Sequence, residues 1–260
     1  MADSTLNIAI IQSNLVWENP VQNWINFSAK IKKLSKNIDL VVLPEMFTSG
    51  FTMSPESVAE TMEGQTIQWL KSLANEQKIA IVGSLVIQEA DSYYNRLVFV
   101  HPNGVINTYD KRHAFTLAGE DKVYTSGNSK VIIDYKGFKI RPLICYDLRF
   151  PVWSRNKQDY NVLIYVANWP KKRIKAWDTL LQARAIENMS YCVGVNRVGL
   201  DANNFDYPGH SAVYNTLGEK LTNLKPDKEG VKEVMLTKYH IETTRNKLRF
   251  LDDADAFSLE

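Results

Sequence analysis

"KIRPLICYDLRFP" (residues 139–151) runs from an apolar stretch typical of a strand into polar residues, and Cys145 stands at the change. The chain has one other cysteine, Cys192 in "YCVGV", whose neighbours suit the interior of a strand. A single cysteine in an apolar run is usually an inert core residue, and Cys192 fits that description. Cys145 fits it less well, so the stretch predicts either a core thiol or a thiol placed at a strand end for chemistry.

Patterns typical of strands and helices alternate on both sides of this stretch. Helical spacing of apolar residues, including Val21 and Ile25 in the first segment, predicts three helices. Turn signals at Asn103-Gly104 and Lys136-Gly137 predict hairpins between strands. The apolar runs that predict strands cover 6–12, 39–45, 79–88, 95–109, 129–145, 160–168, 191–198 and 211–221, and the helices cover about 20–34, 66–78 and 173–189. We therefore expect an α/β fold in which helices cover a mixed sheet or two stacked sheets.

No internal repeat, flexible linker or low-complexity block divides the 260 residues. We expect a single domain over 1–260, with its body at about 5–240 and a charged, less regular C-terminal extension at about 241–260. A hydrophobic fraction of 45% and a charged fraction of 23% are ordinary for a globular chain. A net charge of +2 predicts no general attraction to nucleic acid or to a membrane.

The start of the chain, "MADSTLNIAIIQSN", has a short apolar run without a basic lead-in, so we expect neither a signal peptide nor a membrane span. Two cysteines do not make a disulfide framework. These features predict a cytoplasmic protein with free thiols. The basic run at 171–175 lacks a nucleic-acid motif, and no pair of the four histidines has metal-ligand spacing.

Three polar residues stand where buried strands are predicted to end, which is where catalytic groups collect in α/β folds. Glu45 closes "DLVVLPE", Lys111 follows a strand in "NTYDKRHAF", and Cys145 closes "IRPLIC". Taken singly, the glutamate suits a cap and the lysine suits a solvated surface. Together they suit a nucleophile system, because a carboxylate can take the proton of a thiol and a lysine can stabilise an oxyanion. The backbone N–H of Tyr146 is a natural second oxyanion donor. This set predicts acyl transfer from an amide or a nitrile.

A cysteine–histidine dyad is the alternative, with His113 or His210 as the base. It leaves Glu45 and Lys111 without a role, so we expect His113 to brace the loop that carries the lysine instead.

Glu45 in "LPEMF", Lys111 in "YDKRHAF" and Cys145 in "CYDLRFP" resemble the Glu-Lys-Cys triad of the nitrilase superfamily of carbon–nitrogen hydrolases, in the same chain order. The resemblance runs over roughly residues 5 to 250. It is closest to the bacterial YafV-like ω-amidase branch, through "ANWPKKRIKAWDTLLQARAIEN" (167–188), "GVNRVG" (194–199) and "RFLDDADAF" (249–257). The resemblance implies a four-layer α-β-β-α sandwich of the nitrilase type and at least a homodimer.

The resemblance also implies residue roles. Cys145 attacks the amide carbonyl and forms a thioester, Glu45 transfers protons, and Lys111 holds the oxyanion together with the Tyr146 N–H. Glu120 in "LAGEDKVY" matches a second glutamate of the family that contacts the lysine. No metal and no organic cofactor is implied. The partner is a small-molecule amide, and neither nucleic acid nor a membrane is expected.

The ω-amidase branch implies substrates such as 2-oxoglutaramate and 2-oxosuccinamate, which carry a carboxylate at the end away from the amide. Arg173 is the candidate to receive that carboxylate, because arginine binds carboxylates bidentately and this one stands at a predicted helix start. The alternative is that Arg173 belongs to a solvated basic face. Trp169 either forms a wall of the site or lies in the core, and we expect Arg149 to tie the local turn together.

Two other functions stay open at this point. One is a different amidase of the superfamily, acting on aliphatic amides or N-carbamoyl compounds, for which Arg173 would matter little. The other is a catalytically inactive scaffold on the same fold, which the intact Glu-Lys-Cys set disfavours. The sequence does not choose between keto-acid amides, between glutamine transamination clean-up and methionine salvage, or between oligomers larger than a dimer.

Overall fold

The computed structural model describes residues 4–259 of the chain. Helices and strands follow the predicted order, and elements that were not predicted are added at residues 151–154, 206–208, 230–237 and 238–248. The strands are β1 (Thr5–Gln12), β2 (Leu40–Val42), β3 (Ala80–Glu89), β4 (Ser92–Val100), β5 (Ile106–Asp110), β6 (Ile133–Tyr135), β7 (Phe138–Ile144), β8 (Val162–Ala167), β9 (Tyr191–Asn196), β10 (Val198–Leu200), β11 (Asp206–Pro208), β12 (Ala212–Tyr214) and β13 (Gly230–Thr237). The helices are α1 (Pro20–Ile31), α2 (Gln65–Gln77), α3 (Pro151–Ser154), α4 (Ile174–Asn188) and α5 (Lys238–Leu248).

Two sheets form the centre of the fold. The first has the strand order β13-β1-β2-β3-β4-β5, and the second has the order β12-β9-β8-β7-β6. Each sheet is parallel in its middle, through β1, β2 and β3 in one and β7, β8 and β9 in the other. Hairpins and returning strands add the antiparallel edges. The expectation of stacked sheets with hairpins among them is confirmed.

The side chains of β1 show how the layers are built, because successive residues of a strand point to opposite faces. Leu6, Ile8 and Ile10 belong to the apolar cluster shared with the second sheet. Ala9 and Ile11 belong to a separate cluster shared with α1 and α2. The first sheet is therefore buried on both faces, by the second sheet and by helices.

Helix α4 covers the second sheet. Its buried residues Trp177, Leu181 and Ala185 lie in the same cluster as β8 and β9. Gly194 of β9 permits the close approach, since a Cβ there would meet Leu181 Cδ1 at 2.4 Å and Trp177 Cζ2 at 2.8 Å. The layers therefore run helix, sheet, sheet, helix, which is the four-layer α-β-β-α sandwich of the prediction.

Helix α1 begins as predicted, with the Asn19 side chain accepting the N–H of Gln22 and proline at the first turn. Its predicted apolar face is partly wrong, because Val21 and Ile25 are 54% and 56% exposed. The buried face carries Ile31, which the helical spacing also included, together with Asn23 and Phe27. The Asn23 side chain donates to the carbonyls of Val16 and Thr48, which makes burial of this polar residue possible.

Two elements near the C-terminus have no counterpart among the predicted strands and helices. Strand β13 pairs antiparallel with the whole length of β1, and α5 follows it with Ile241 buried in the core. The strand has no continuous apolar run, since Val231 and Met235 are exposed at the sheet edge. The predicted boundary at 240/241 falls inside α5, and the division into a body and an extension stays a prediction. No helix within residues 4–259 is both long and apolar enough to span a bilayer.

Candidate active site

Three polar residues that end strands meet between the two sheets. Glu45 lies three residues beyond β2, Lys111 directly follows β5, and Cys145 directly follows β7. Glu45 is fully buried, and Lys111 and Cys145 are 3% and 9% exposed. Because β2 and β5 belong to one sheet and β7 to the other, the sandwich itself brings these groups together.

Cys145 has a left-handed backbone, with φ at 43°. Side chains other than glycine adopt this conformation at a cost, and such strain concentrates at functional sites. The residue begins a short 3-10 turn, Cys145–Arg149. The sharp change from strand to turn presents the thiol at the end of β7, and Sγ lies 4.0 Å from the carbonyl oxygen of Asn168.

Lys111 contacts two carboxylates at once. Its Nζ lies 2.9 Å from Glu45 Oε1 and 2.9 Å from both carboxylate oxygens of Glu120. Glu120 is fully buried in the loop beyond Lys111, and it also accepts the backbone N–H of Phe115. The two glutamates thus hold the ammonium group in one position beside Cys145.

Two buried asparagines complete the surroundings of Glu45. Asn95 Nδ2 donates to Glu45 Oε1 over 2.8 Å and to Glu120 Oε1 over 3.3 Å. The backbone N–H of Asn168 donates to Glu45 Oε2 over 2.8 Å, and its Nδ2 donates to the Glu45 carbonyl oxygen over 2.7 Å. Both carboxylate oxygens of Glu45 therefore have fixed donors, which fix the direction of the carboxylate.

The charges of the site shift its pKa values in opposed ways. Burial by itself lowers the pKa of Lys111, but Glu120 and Glu45 outweigh burial and raise it, so the ammonium form persists. Burial and the charge of Glu45 raise the pKa of the Cys145 thiol, although Lys111 acts in the opposite direction. Burial also raises the pKa of Glu120 against the effect of Lys111. The resting nucleophile is a neutral thiol that a base must deprotonate.

A cavity of about 300 Å³ opens above the thiol. Cys145, Lys111 and Asn168 are among its polar lining residues. Its other walls are mainly aromatic or apolar, and include Phe51, Met53, Phe115, Tyr146, Trp169, Phe205 and Tyr207. The volume suits a short small molecule with its reacting group at the thiol.

Two arginines line this cavity without an acidic partner within residues 4–259. The guanidinium group of Arg173 lies 4.9 Å above the ring of Phe115. That of Arg149 lies 5.0 Å above the ring of Trp169. Arg173 is the N-cap of α4, as expected from its position at a helix start. Arg149 was expected to tie the local turn, but it is exposed and faces the cavity instead.

Trp169 lies in the core and also forms a wall of the cavity, so both alternatives of the sequence analysis apply to it. It is 3% exposed and packs against Trp177 in the core, with ring centroids 5.6 Å apart. It also lines the cavity and donates its Nε1–H to the carbonyl of Arg173 over 2.8 Å. Tyr146 lies next to Cys145 and packs edge-on against Phe115.

Neither histidine of the alternative dyad is bonded to the thiol. His113 Nδ1 lies 2.7 Å from Asp147 Oδ1, and His210 Nδ1 lies 2.9 Å from Asp178 Oδ2. Cys192 lies inside β9 with no exposed surface, and burial raises its thiol pKa. The two cysteines are free and separate, one in the core and one at the cavity.

The carbon–nitrogen hydrolase family model matches residues 7–246. The chain belongs to the carbon–nitrogen hydrolase family. An omega-amidase, YafV of Yersinia enterocolitica, is 40% identical over 98% of this chain and 99% of its own length. The 2-oxoglutaramate amidase of Bacillus subtilis is 33% identical over 82% of this chain and 84% of its own length.

Solved structures of this superfamily have the same fold. XC1258 of Xanthomonas campestris, a CN-hydrolase superfamily protein, superposes with a TM-score of 0.96 at 37% identity, and the match covers all of both chains. Nit3 of Saccharomyces cerevisiae, a member of branch 10 of the nitrilase superfamily, superposes with a TM-score of 0.85 at 24% identity, with 94% of each chain covered. The predicted family and fold class are confirmed.

Asn95, Asn168 and Asp147 are the buried polar residues that sequence reasoning about this carbon–nitrogen hydrolase missed. Asn168 directly follows β8, so the rule that found the triad applies to it as well. Asn95 lies inside β4, where only an isolated polar residue in an apolar run indicates it. Asp147 stands in the quoted 139–151 stretch, but its partners Tyr109 and His113 are distant in the chain.

Proposed function

We propose that this chain is a cysteine-dependent ω-amidase that releases ammonia from the terminal amide of short keto dicarboxylic acid monoamides, such as 2-oxoglutaramate and 2-oxosuccinamate. The observation that carries the proposal is the buried Glu45–Lys111–Cys145 cluster at the base of a small cavity whose wall holds arginines without acidic partners. The similarity to omega-amidases and 2-oxoglutaramate amidases supports this choice of substrate.

The first half of the reaction forms a thioester. Glu45 takes the proton of the Cys145 thiol as Sγ attacks the amide carbon, and the carbonyl oxygen becomes an oxyanion. Lys111 and the backbone N–H of Tyr146 stabilise this oxyanion. When the intermediate collapses, Glu45 returns the proton to the amide nitrogen, the C–N bond breaks, and ammonia leaves. Glu120 holds Lys111 in place throughout.

The second half hydrolyses the thioester. Glu45 takes a proton from water as its oxygen attacks the thioester carbon, and the same donors stabilise the second oxyanion. Collapse of that intermediate breaks the C–S bond, and the proton returns to Sγ. The product is the dicarboxylic acid and the enzyme regains its neutral thiol. The chemistry uses no cofactor.

The distal carboxylate of the substrate is received by Arg173. Its position above Phe115 and at the N-cap of α4 leaves its donors unpaired with any acid in the described part of the chain. A guanidinium group offers bidentate hydrogen bonds to a carboxylate, and the nearby helix N-terminus adds favourable partial charge. Trp169 forms the adjoining wall.

Ammonia release tests the proposal. Wild type and Cys145→Ala are compared on 2-oxoglutaramate, on glutamine and on a neutral aliphatic amide. The expected result is turnover of the keto-amide, with loss of all turnover in Cys145→Ala. Turnover only of the neutral amide or of an N-carbamoyl amino acid would retain the triad and overturn the substrate. Absence of turnover on every compound would favour an inactive scaffold.

We also propose that the protein works as a homodimer in the cytoplasm and as one hydrolase domain. Two free thiols suit a reducing compartment. Sedimentation equilibrium of the full chain tests the dimer, with a single species at the monomer mass as the contradicting result.

A further inference from the structure

Asp147 is a fully buried carboxylate that lies between the Cys145 turn and the Lys111 loop. Its Oδ2 accepts the backbone N–H of Ile144 over 3.0 Å and the hydroxyl of Tyr109 over 2.8 Å. Its Oδ1 accepts the backbone N–H of His113 over 3.0 Å and lies 2.7 Å from His113 Nδ1. One carboxylate therefore has four contacts from two separate segments.

These contacts bracket the two reacting groups. Tyr109 and His113 stand two residues before and two residues after Lys111. Ile144 immediately precedes Cys145, and Asp147 itself follows it by two. The residues on both sides of Lys111 are thus hydrogen-bonded to the turn that contains Cys145. In that turn the backbone of Cys145 is left-handed.

Position 147 requires a side chain that only accepts hydrogen bonds. Ile144 and His113 present backbone N–H groups, and Tyr109 presents a hydroxyl that donates to the carboxylate. An asparagine at position 147 would turn its NH₂ group toward at least one of these donors. Within residues 4–259 His113 is the single basic side chain in ion-pair range of Asp147, so neutral donors largely hold this buried charge. Burial of a charge in this way costs free energy, which favours a role for Asp147 beyond stability.

Aromatic rings also connect the Lys111 loop with the segment that follows the Cys145 turn. Trp153 Nε1 donates to the Tyr109 hydroxyl over 3.0 Å. The ring of His113 stacks on Phe150, with centroids 3.7 Å apart and planes within 5°. Phe150 and Trp153 belong to the segment that follows the Cys145 turn. Tyr109 and His113 of the Lys111 loop therefore both contact that segment.

We propose that Asp147 is a positioning residue that sets the placement of Cys145 relative to Lys111, through Ile144 on one side and through Tyr109 and His113 on the other. The inference rests on the proposed function, because it assigns to Lys111 the stabilisation of an oxyanion formed at Cys145. Asp147 touches neither group and acts through the chain.

The first test compares Asp147→Asn with Asp39→Asn. Asp39 is a buried carboxylate that accepts the Asn7 N–H and contacts Lys136, in a different part of the fold. We expect Asp147→Asn to lower kcat for the keto-amide about 100-fold with little change in KM, because misplacement of reacting groups by about 1 Å costs that much. We expect Asp39→Asn to lower Tm and to leave kcat unchanged.

The alkylation rate of Cys145 by iodoacetamide at alkaline pH is the second readout, and it does not depend on the substrate. Lys111 lowers the pKa of this thiol, so a displaced lysine makes the thiolate scarcer and slows alkylation in Asp147→Asn. If Cys145 of the wild-type protein is alkylated but the protein does not hydrolyse the keto-amide, the proposed function is overturned and the positioning role of Asp147 is not. Unchanged alkylation and unchanged kcat in a folded Asp147→Asn would overturn the positioning role.

Tyr109→Phe removes the hydroxyl contact of Asp147, and His113→Ala removes the Nδ1 contact while the backbone N–H of residue 113 stays in place. Both variants keep the test open if Asp147→Asn does not fold. Each should lower kcat about tenfold with KM retained, since each leaves the other contact in place. In a folded Asp147→Asn background, Tyr109→Phe should cause no further loss, because residues that act through one group are not additive. Wild-type kcat in both single variants, or fully additive losses, would contradict the proposal.

Discussion

Asn168 binds Glu45 through two hydrogen bonds, from its backbone N–H to Oε2 and from its side-chain Nδ2 to the Glu45 carbonyl oxygen, at 2.8 and 2.7 Å. Glu45 follows a strand of the first sheet and Asn168 follows a strand of the second. The pair is therefore a direct link between the two layers at the point where the thiol opens into the cavity. The direction of the Glu45 carboxylate depends on how the two sheets are stacked.

Asn95 is expected to matter more to catalysis than the Asn168 side chain. Asn95→Ala removes the neutral donor shared by Glu45 and Glu120, so we expect kcat to fall about 10- to 100-fold through loss of carboxylate orientation. Asn168→Ala keeps the backbone N–H on Oε2 and should lose less. Steady-state kinetics on the keto-amide measure both.

Asn156→Ala is the matched control for a buried asparagine. Its side chain bonds the carbonyls of Tyr160 and Asn188, away from the cavity. It should lower Tm and retain kcat. An equal fall of kcat in Asn156→Ala and Asn95→Ala would mean that the loss reflects general destabilisation.

The two cysteines should differ in their pH-dependent reactivity. The pKa of the Cys145 thiol is raised above its ordinary value of 9.0, so the protonated form persists to higher pH and the thiolate is scarce at neutral pH. Alkylation by iodoacetamide should therefore be slow at neutral pH and should still rise above about pH 10, where a free cysteine reaches its plateau. Cys192 has no exposed surface and should not react in the folded protein.

Mass spectrometry of the alkylated peptides separates the two sites. Cys192→Ala should keep the Cys145 profile, and Cys145→Ala should show no alkylation until the protein unfolds. Turnover of the amide at neutral pH does not require a preformed thiolate, because Glu45 takes the proton during attack. A Cys145 profile that levels off below pH 8 would contradict the raised pKa.

Glu120→Gln should reduce catalysis while the protein stays folded. Glu120 is the stronger of the two carboxylates that raise the pKa of Lys111, and Glu45 remains to keep the lysine charged. We expect kcat to fall about 100-fold because Lys111 loses one of its two carboxylate charges and one of the two Glu120 oxygens that fix its position. Glu89→Gln removes the Arg96 contact of a 63% exposed carboxylate and should leave kcat at the wild-type value.

The sequence predicts the parts of this fold that depend on local pattern. Turn residues, such as Lys136-Gly137 between β6 and β7, and buried apolar runs, such as β8, are found where they were expected. Strand β13 escapes prediction because its outward residues alternate in exposure at a sheet edge and its partner, β1, lies more than 200 residues away. Pairing between strands so far apart in the chain produces no pattern in the sequence near either strand.

The site divides in the same way. Glu45, Lys111 and Cys145 follow strands, and the rule that polar residues end buried strands finds them. Asn95 lies within a strand, and only the packing of the two sheets places it against Glu45 and Glu120. The Arg149 side chain lies over the ring of Trp169, which follows the next strand of the sheet, β8. Such relations between distant segments are set by tertiary structure.

The two cavity arginines give the sharpest prediction about the substrate. Arg173→Ala should lower kcat/KM for 2-oxoglutaramate about 10- to 100-fold, since a hydrogen-bonded charge contributes about 1.5–3 kcal/mol. The kcat/KM for a neutral aliphatic amide should change little. Lys172 is an exposed neighbour outside the cavity, so Lys172→Ala is the control and should change kcat/KM for neither amide.

Arg149→Ala should lower kcat/KM for the keto-amide alone if both guanidinium groups receive the carboxylate. The Arg149→Ala, Arg173→Ala double variant should then lose less than the product of the two single effects. Equal losses on the charged and the neutral amide in Arg173→Ala would mean that this arginine shapes the cavity and does not bind a carboxylate.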